Sequence, residues 1–197
     1  MASDFQRRKV GGVFDAMDGD GRGFLTEHDF EALAARWTTL RGLTPGSDQY
    51  TRLRAIMLGW WASLSSAAED GDQVTLEDVL ALVDHLPAMT DAVTGTADAM
   101  FEAIDENADG RISRAEYRQL IEAWTGQATD TDKVFPLLDL DADGHLSRDE
   151  FRQLWTQFWA GDDPESPGTW VFGRFEKPLG QSPDTGPVRD HQTDLPA

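Results

Sequence analysis

A twelve-residue pattern recurs along this chain with fixed flanks, and such a repeat constrains the fold more tightly than any composition does. Two stretches match it without exception: Asp105-Glu106-Asn107-Ala108-Asp109-Gly110-Arg111-Ile112-Ser113-Arg114-Ala115-Glu116 and Asp139-Leu140-Asp141-Ala142-Asp143-Gly144-His145-Leu146-Ser147-Arg148-Asp149-Glu150. A third, running from Asp18 to Asp29, departs at two places, with Arg22 at position 5 and Asp29 in place of Glu at position 12. Phe14, Phe101 and Phe135 each stand four residues before a loop. After each loop, apolar residues recur at i, i+3, i+4 and i+7: Phe30/Leu33/Ala34/Trp37, Tyr117/Leu120/Ile121/Trp124 and Phe151/Leu154/Trp155/Phe158. That is the spacing of one buried helix face. Each unit therefore reads as helix, loop, helix.

The same register exposes a fourth copy. Val79/Leu82/Val83/Leu86 repeats the outgoing face and places a loop over 68–78, with Val74 as its apolar strand residue. This loop reads one residue short, starts without an acid, and carries Gly71 and Asp72 in the wrong order. It is a pseudo-loop, expected to persist because such units pair.

The spacing is that of the EF-hand loop, and its chemistry follows from the cation it suits. Ca²⁺ is a hard ion that takes about seven oxygens at roughly 2.3–2.6 Å. Positions 1, 3 and 5 offer side-chain oxygens: Asp18 and Asp20 in the first loop, Asp105, Asn107 and Asp109 in the third, Asp139, Asp141 and Asp143 in the fourth. Position 7 offers a backbone carbonyl, from Phe24, Arg111 and His145. Position 12 closes the shell with a carboxylate, from Asp29, Glu116 and Glu150. Glycine at position 6 permits the sharp turn. The apolar residue at position 8 points away from the ion and pairs with its counterpart in a neighbouring loop.

The expected architecture is all-α, with four EF-hand units in two paired lobes and short strand contacts between loops. Residues 1–88 hold the first pair and 89–160 the second, with Pro87 and Gly95 bracketing the junction. Residues 161–197 form an extension. In it, Trp170-Val171-Phe172-Gly173-Arg174-Phe175 is expected to pack near Trp124, Trp155 and Trp159, and 176–197 is expected to be mobile.

Composition narrows the function. Against 17 basic residues stand 36 acidic ones, a formal charge of −19, which repels nucleic acid and anionic membranes. There is no cysteine to form a disulfide. No apolar stretch follows the basic residues near the N-terminus, and the longest mostly apolar run, 55–64, is about half a membrane span. A cytoplasmic monomer is expected. No nucleophile–base arrangement, phosphate loop or zinc spacing is present, so no enzyme is expected.

The order of the loops carries a resemblance. An imperfect first loop closing on Asp29-Phe30, a degenerate second, and two complete ones resemble the calerythrin and sarcoplasmic calcium-binding protein group over about residues 1–160. The resemblance implies a compact cytosolic Ca²⁺/Mg²⁺ binder of the buffer kind, with metal in loops one, three and four and none in loop two. Arg22 departs from it, since position 5 of that loop is normally Asp, Asn or Ser. Three calcium sites are thus expected, the fourth loop tightest and the first weakest. Asp29 is a methylene shorter than Glu and Arg22 brings a charge where an oxygen is wanted, so the first loop is expected to tolerate Mg²⁺ relatively better. The alternative function is a calcium sensor that docks a partner helix. Sensors of that kind open a Met-rich groove, whereas five Met occur here against seven Trp and ten Phe.

Overall fold

Amphipathic segments preceded by Ser or Thr set where most of the helices begin. The structure, a computed structural model, describes residues 2–173. Phe175 and the tail expected to be mobile lie outside these residues. Helix α1 spans Asp4–Met17 and starts on a capping box formed by Ser3 and Gln6. The first outgoing helix, α2, spans Glu27–Leu40. Helix α3, Asp48–Ala67, starts on Ser47, and α4 covers Leu76–Val83. A 3₁₀ turn at Leu86–Ala88, holding Pro87, ends the first half. The second half runs through α5 (Thr90–Ile104), α6 (Arg114–Thr125), the single turn α7 (Phe135–Leu138) and α8 (Arg148–Trp159). A final 3₁₀ turn covers Pro167–Trp170.

Short strands join the loops in pairs. Strand β1 (Phe24–Leu25) runs antiparallel to β2 (Val74–Thr75), with Leu25 opposite Val74. Strand β3 (Arg111–Ile112) pairs likewise with β4 (Leu146–Ser147), with Ile112 opposite Leu146. All four apolar strand residues are buried. The degenerate second loop thus supplies a strand partner to the first, as its register suggested.

The break between the halves falls within the Pro87–Gly95 bracket, between the 3₁₀ turn ending at Ala88 and α5 starting at Thr90; Gly95 itself lies inside α5, which runs unbroken to Ile104. Glycine costs only about 1 kcal/mol in a helix interior, and Val93, Ala97, Met100 and Phe101 around it are buried and hold the helix together. The helix entering the fourth loop shrinks to one turn, because Pro136 at its start removes an N–H and stops upstream extension.

The two pairs pack on each other through one core. Helix α2 lies against α6 and α3 against α5, while within the second half α5 packs on α8. Trp124 donates its indole N–H to the Val13 carbonyl across the junction at 3.4 Å, and Arg36 donates to the Ala123 carbonyl at 2.9 Å. Trp37, Trp124, Trp155, Phe30, Phe151 and Phe158 are all essentially inaccessible, so the aromatic stripes of the outgoing helices are core.

The extension past α8 turns back onto this core. Phe172 is buried, with ring centroids 4.8 Å from Trp124, 4.8 Å from Phe158, 5.4 Å from Trp155 and 5.8 Å from Trp159. Val171 is buried beside it. Gly168 makes the approach possible: a Cβ there would stand 2.3 Å from the Leu154 carbonyl oxygen. Its N–H donates to Gln157 Oε1 at 2.9 Å, and Tyr117 donates its hydroxyl to the Trp170 carbonyl at 3.1 Å.

Candidate metal centres

Each acid-led loop opens with one shared bond. The N–H of Asp18, Asp105 and Asp139 donates to the carbonyl of Phe14, Phe101 and Phe135, at 2.9, 2.9 and 3.1 Å. The buried phenylalanine four residues ahead therefore anchors the helix end that presents position 1. That carboxylate then accepts the N–H groups of positions 5 and 6: Asp18 from Arg22 and Gly23, Asp105 from Asp109 and Gly110, Asp139 from Asp143 and Gly144. The chain curls around the acid. The curl needs left-handed backbone at position 6, where Gly23, Gly110 and Gly144 have φ of 84°, 82° and 89°. It also needs it at position 4, where φ is 67° at Gly21, 57° at Ala108 and 60° at Ala142.

Position 12 serves two elements at once. In the third loop Glu116 accepts the N–H and hydroxyl of Ser113 on one oxygen, and the N–H of Glu106 on the other. In the fourth, Glu150 accepts from Ser147 in the same way and from the N–H groups of Leu140 and Asp141. The carboxylate that closes the loop is thus also the third residue of a capping box on the outgoing helix. Partial burial works against the charge on Glu150, but the hydrogen bonds from Ser147, Leu140 and Asp141 outweigh it and hold its pKa below the usual carboxylate range.

The donor sets of the third and fourth loops fit a hard divalent cation. In the fourth, Asp139, Asp141 and Asp143 offer carboxylate oxygens that all lie within 4.8 Å of one another. In the third, Asn107 replaces one of these acids, and its side-chain amide donates to Asp109 at 3.0 Å. Cations of the protein stand near both. Arg41, at the end of α2, donates to the Ile104 carbonyl at 2.6 Å and lies 4.0 Å from Glu106 beside the third loop. Arg111 stands 3.9 Å from Asp143 at the exposed edge of the fourth.

The first loop keeps the backbone curl but not the side-chain arrangement. Arg22 donates through Nε to Asp20 at 2.7 Å and through Nη2 to both oxygens of Asp29 at 2.8 Å. Asp29 caps α2 through the N–H and hydroxyl of Thr26. The second loop holds a bridge between Asp70 and Gln73, and Asp78 caps α4 through Thr75.

Comparison with known proteins agrees with this geometry. The family model for an EF-hand domain pair matches residues 96–156, the span of the third and fourth units. A sarcoplasmic calcium-binding protein of Scylla paramamosain is 30% identical in an alignment 142 residues long that covers 59% of this chain and 72% of the relative. The chain belongs to the sarcoplasmic calcium-binding protein family. It is a calcium-binding EF-hand protein, and its relatives are named as calcium-binding proteins. A second member of this sarcoplasmic calcium-binding protein family, from Astacus leptodactylus, is 27% identical over 81% of this chain and 91% of its own length. Among solved structures, the coelenterazine-binding protein of Renilla muelleri in its Ca-loaded apo form has the same fold, with a TM-score of 0.68 at 23% identity, covering 87% of this chain and 99% of that one.

Among the described residues no helix is long and apolar enough to cross a membrane.

Two features of the loops emerge only in the structure. The left-handed position 4 leaves no signature where alanine fills it. The bridge from Arg22 depends on a rotamer, although an arginine at an oxygen-donor position was itself a signal.

Proposed function

We propose that this protein is a cytoplasmic calcium buffer that acts as a monomer and holds Ca²⁺ in its third and fourth loops. Asp105, Asn107, Asp109, the Arg111 carbonyl and Glu116 would hold one ion. Asp139, Asp141, Asp143, the His145 carbonyl and Glu150 would hold the other. Bound Ca²⁺ supplies charge that relieves the mutual repulsion of these carboxylates. The cytoplasmic setting follows the relatives' sarcoplasmic name and fits a chain without cysteine.

One observation carries the choice of buffer over sensor. Phe172 and Val171 fill the aromatic surface formed by Trp124, Trp155, Phe158 and Trp159. A sensor presents such a surface to its target helix, and here the chain's own extension covers it. A specific observation also favours the sensor. An apolar cavity of about 460 Å³ lies between the halves, lined by Trp60, Leu64, Val83, Trp155 and Trp159 and edged by the exposed Met89.

A hydrophobic dye, followed through a calcium titration, separates the two. Dye fluorescence that stays flat to saturation is the buffer result. A rise of several-fold that tracks calcium occupancy would mean that the cavity opens to a partner.

A further inference from the structure

Positions 3 and 12 of an EF-hand loop meet through the bound cation. In the first loop they meet through Arg22. Its Nε–H reaches Asp20 and its Nη2–H reaches both oxygens of Asp29, at 2.7 and 2.8 Å. These are charge-assisted bonds, among the stronger ones available to a carboxylate. The guanidinium carbon also stands 5.0 Å from the Phe24 ring centroid, within cation–π range. The Asp29 side of this bridge is sheltered, with that side chain 11% exposed and Arg22 31% exposed, whereas the Asp20 side faces solvent. The remaining acid, Asp18, accepts the backbone N–H groups of Arg22 and Gly23, as Asp105 and Asp139 do in their own loops, so the difference lies with Arg22.

This arrangement fails the test for a metal site that the other two loops pass. A cation entering here would need oxygens of Asp20 and Asp29 that Arg22 already holds. It would find no oxygen at position 5, and after expelling the guanidinium it would share the loop with a tethered positive charge. Tethering weights the competition, because a group on a short linker acts at an effective concentration of about millimolar or above. Yet the loop is fully folded: Gly21 and Gly23 take the same left-handed turns as Ala108 and Gly110, and β1 pairs with β2.

We propose that Arg22 takes the place of the metal in the first loop. The N-terminal pair is then held in its paired form without calcium, and the chain takes up two calcium ions instead of the three its loop sequences suggest. This rests on the third and fourth loops being calcium sites, so the test must read each loop separately.

The amide resonances of Gly23, Gly110 and Gly144 in the full chain provide that reading during a calcium titration. Gly110 and Gly144 should shift and saturate at two equivalents, with Gly23 unmoved. In Arg22→Asp, which restores an oxygen at position 5, Gly23 should shift as well and a third equivalent should bind. In chelator, Arg22→Met should lower the melting temperature by several degrees, since Asp20 and Asp29 lose their shared cation. A stoichiometric shift of Gly23 in the wild-type chain would overturn the proposal. So would an Arg22→Asp chain whose Gly23 still ignores calcium, because something other than the arginine would then exclude the ion. Unmoved Gly110 and Gly144 would instead refute the calcium sites of the second half, a failure distinct from either.

Discussion

Single residues set the character of each unit. The loop positions were legible because calcium chemistry fixes residue type at fixed spacing, and the structure brings the carboxylates of Asp139, Asp141 and Asp143 together. What was not legible is how charged side chains far apart in sequence meet. Arg41 beside the third loop is such a case. Lys9 is another. It lies buried on α1 and donates to the carbonyls of Gln157 and Gly161 at 3.3 and 2.9 Å, at the C-terminal end of α8. Burial lowers its pKa from 10.5 to about 8, with nearby Asp162 acting in the opposite sense. Below pH 8 Lys9 is charged both folded and unfolded, and the cost of burying its charge is fully present. Between about 8 and 10.5 the folded chain sheds a proton that the unfolded chain keeps, so stability from this group rises with pH. Denaturation midpoints of the wild-type chain and Lys9→Met, compared at pH 7.5 and pH 10 (about the ends of that window), should show the wild-type chain gaining on the variant. A constant difference would place Lys9 in a more polar setting than its burial indicates.

At the scale of elements, helices and strands followed from periodicity and position 8, whereas the path of the extension did not. Its aromatic content alone argued for burial, because an exposed cluster of such side chains is costly. Its route depends on Gly168, whose bare Cα passes over the Leu154 carbonyl and Gln157 on α8. No periodic pattern marks a contact of that kind. Gly95 is held inside α5 for the related reason that packing outweighs a small intrinsic preference. Phe172→Ala should destabilise the chain by about 3–5 kcal/mol, the usual cost of emptying a buried phenylalanine site. Gly168→Ala should approach the same loss and should expose the aromatic surface to dye, since its methyl cannot be housed without moving the backbone. Urea denaturation of both variants in saturating calcium checks this. Wild-type midpoints would mean that the segment contributes nothing to the fold.

For the whole molecule, the sequence made the pairing of loops legible, because each position-8 residue needs a partner. It did not show how the halves join. That junction is built from Trp60, which touches the rings of Trp124, Trp155 and Trp159 at 5.9, 5.4 and 6.3 Å, and from the indole of Trp124 bonded to Val13. One half supplies two complete acidic loops while the other contributes a loop bridged by arginine and a pseudo-loop. On the proposed function, calcium chemistry is concentrated in residues 96–156, the span that matches an EF-hand domain pair. The most direct test is calorimetric calcium titration of the full chain beside Glu116→Gln, Glu150→Gln and the double variant. Each single change should weaken calcium at its own loop by at least the roughly 10–100-fold that loss of even an outer-shell partner costs. Glu150→Gln should cost more, because its loop carries the additional acid Asp141 where the third has Asn107, and the double variant should lose both sites. A double variant that still binds two calcium ions with wild-type affinity would contradict the assignment of calcium to these loops.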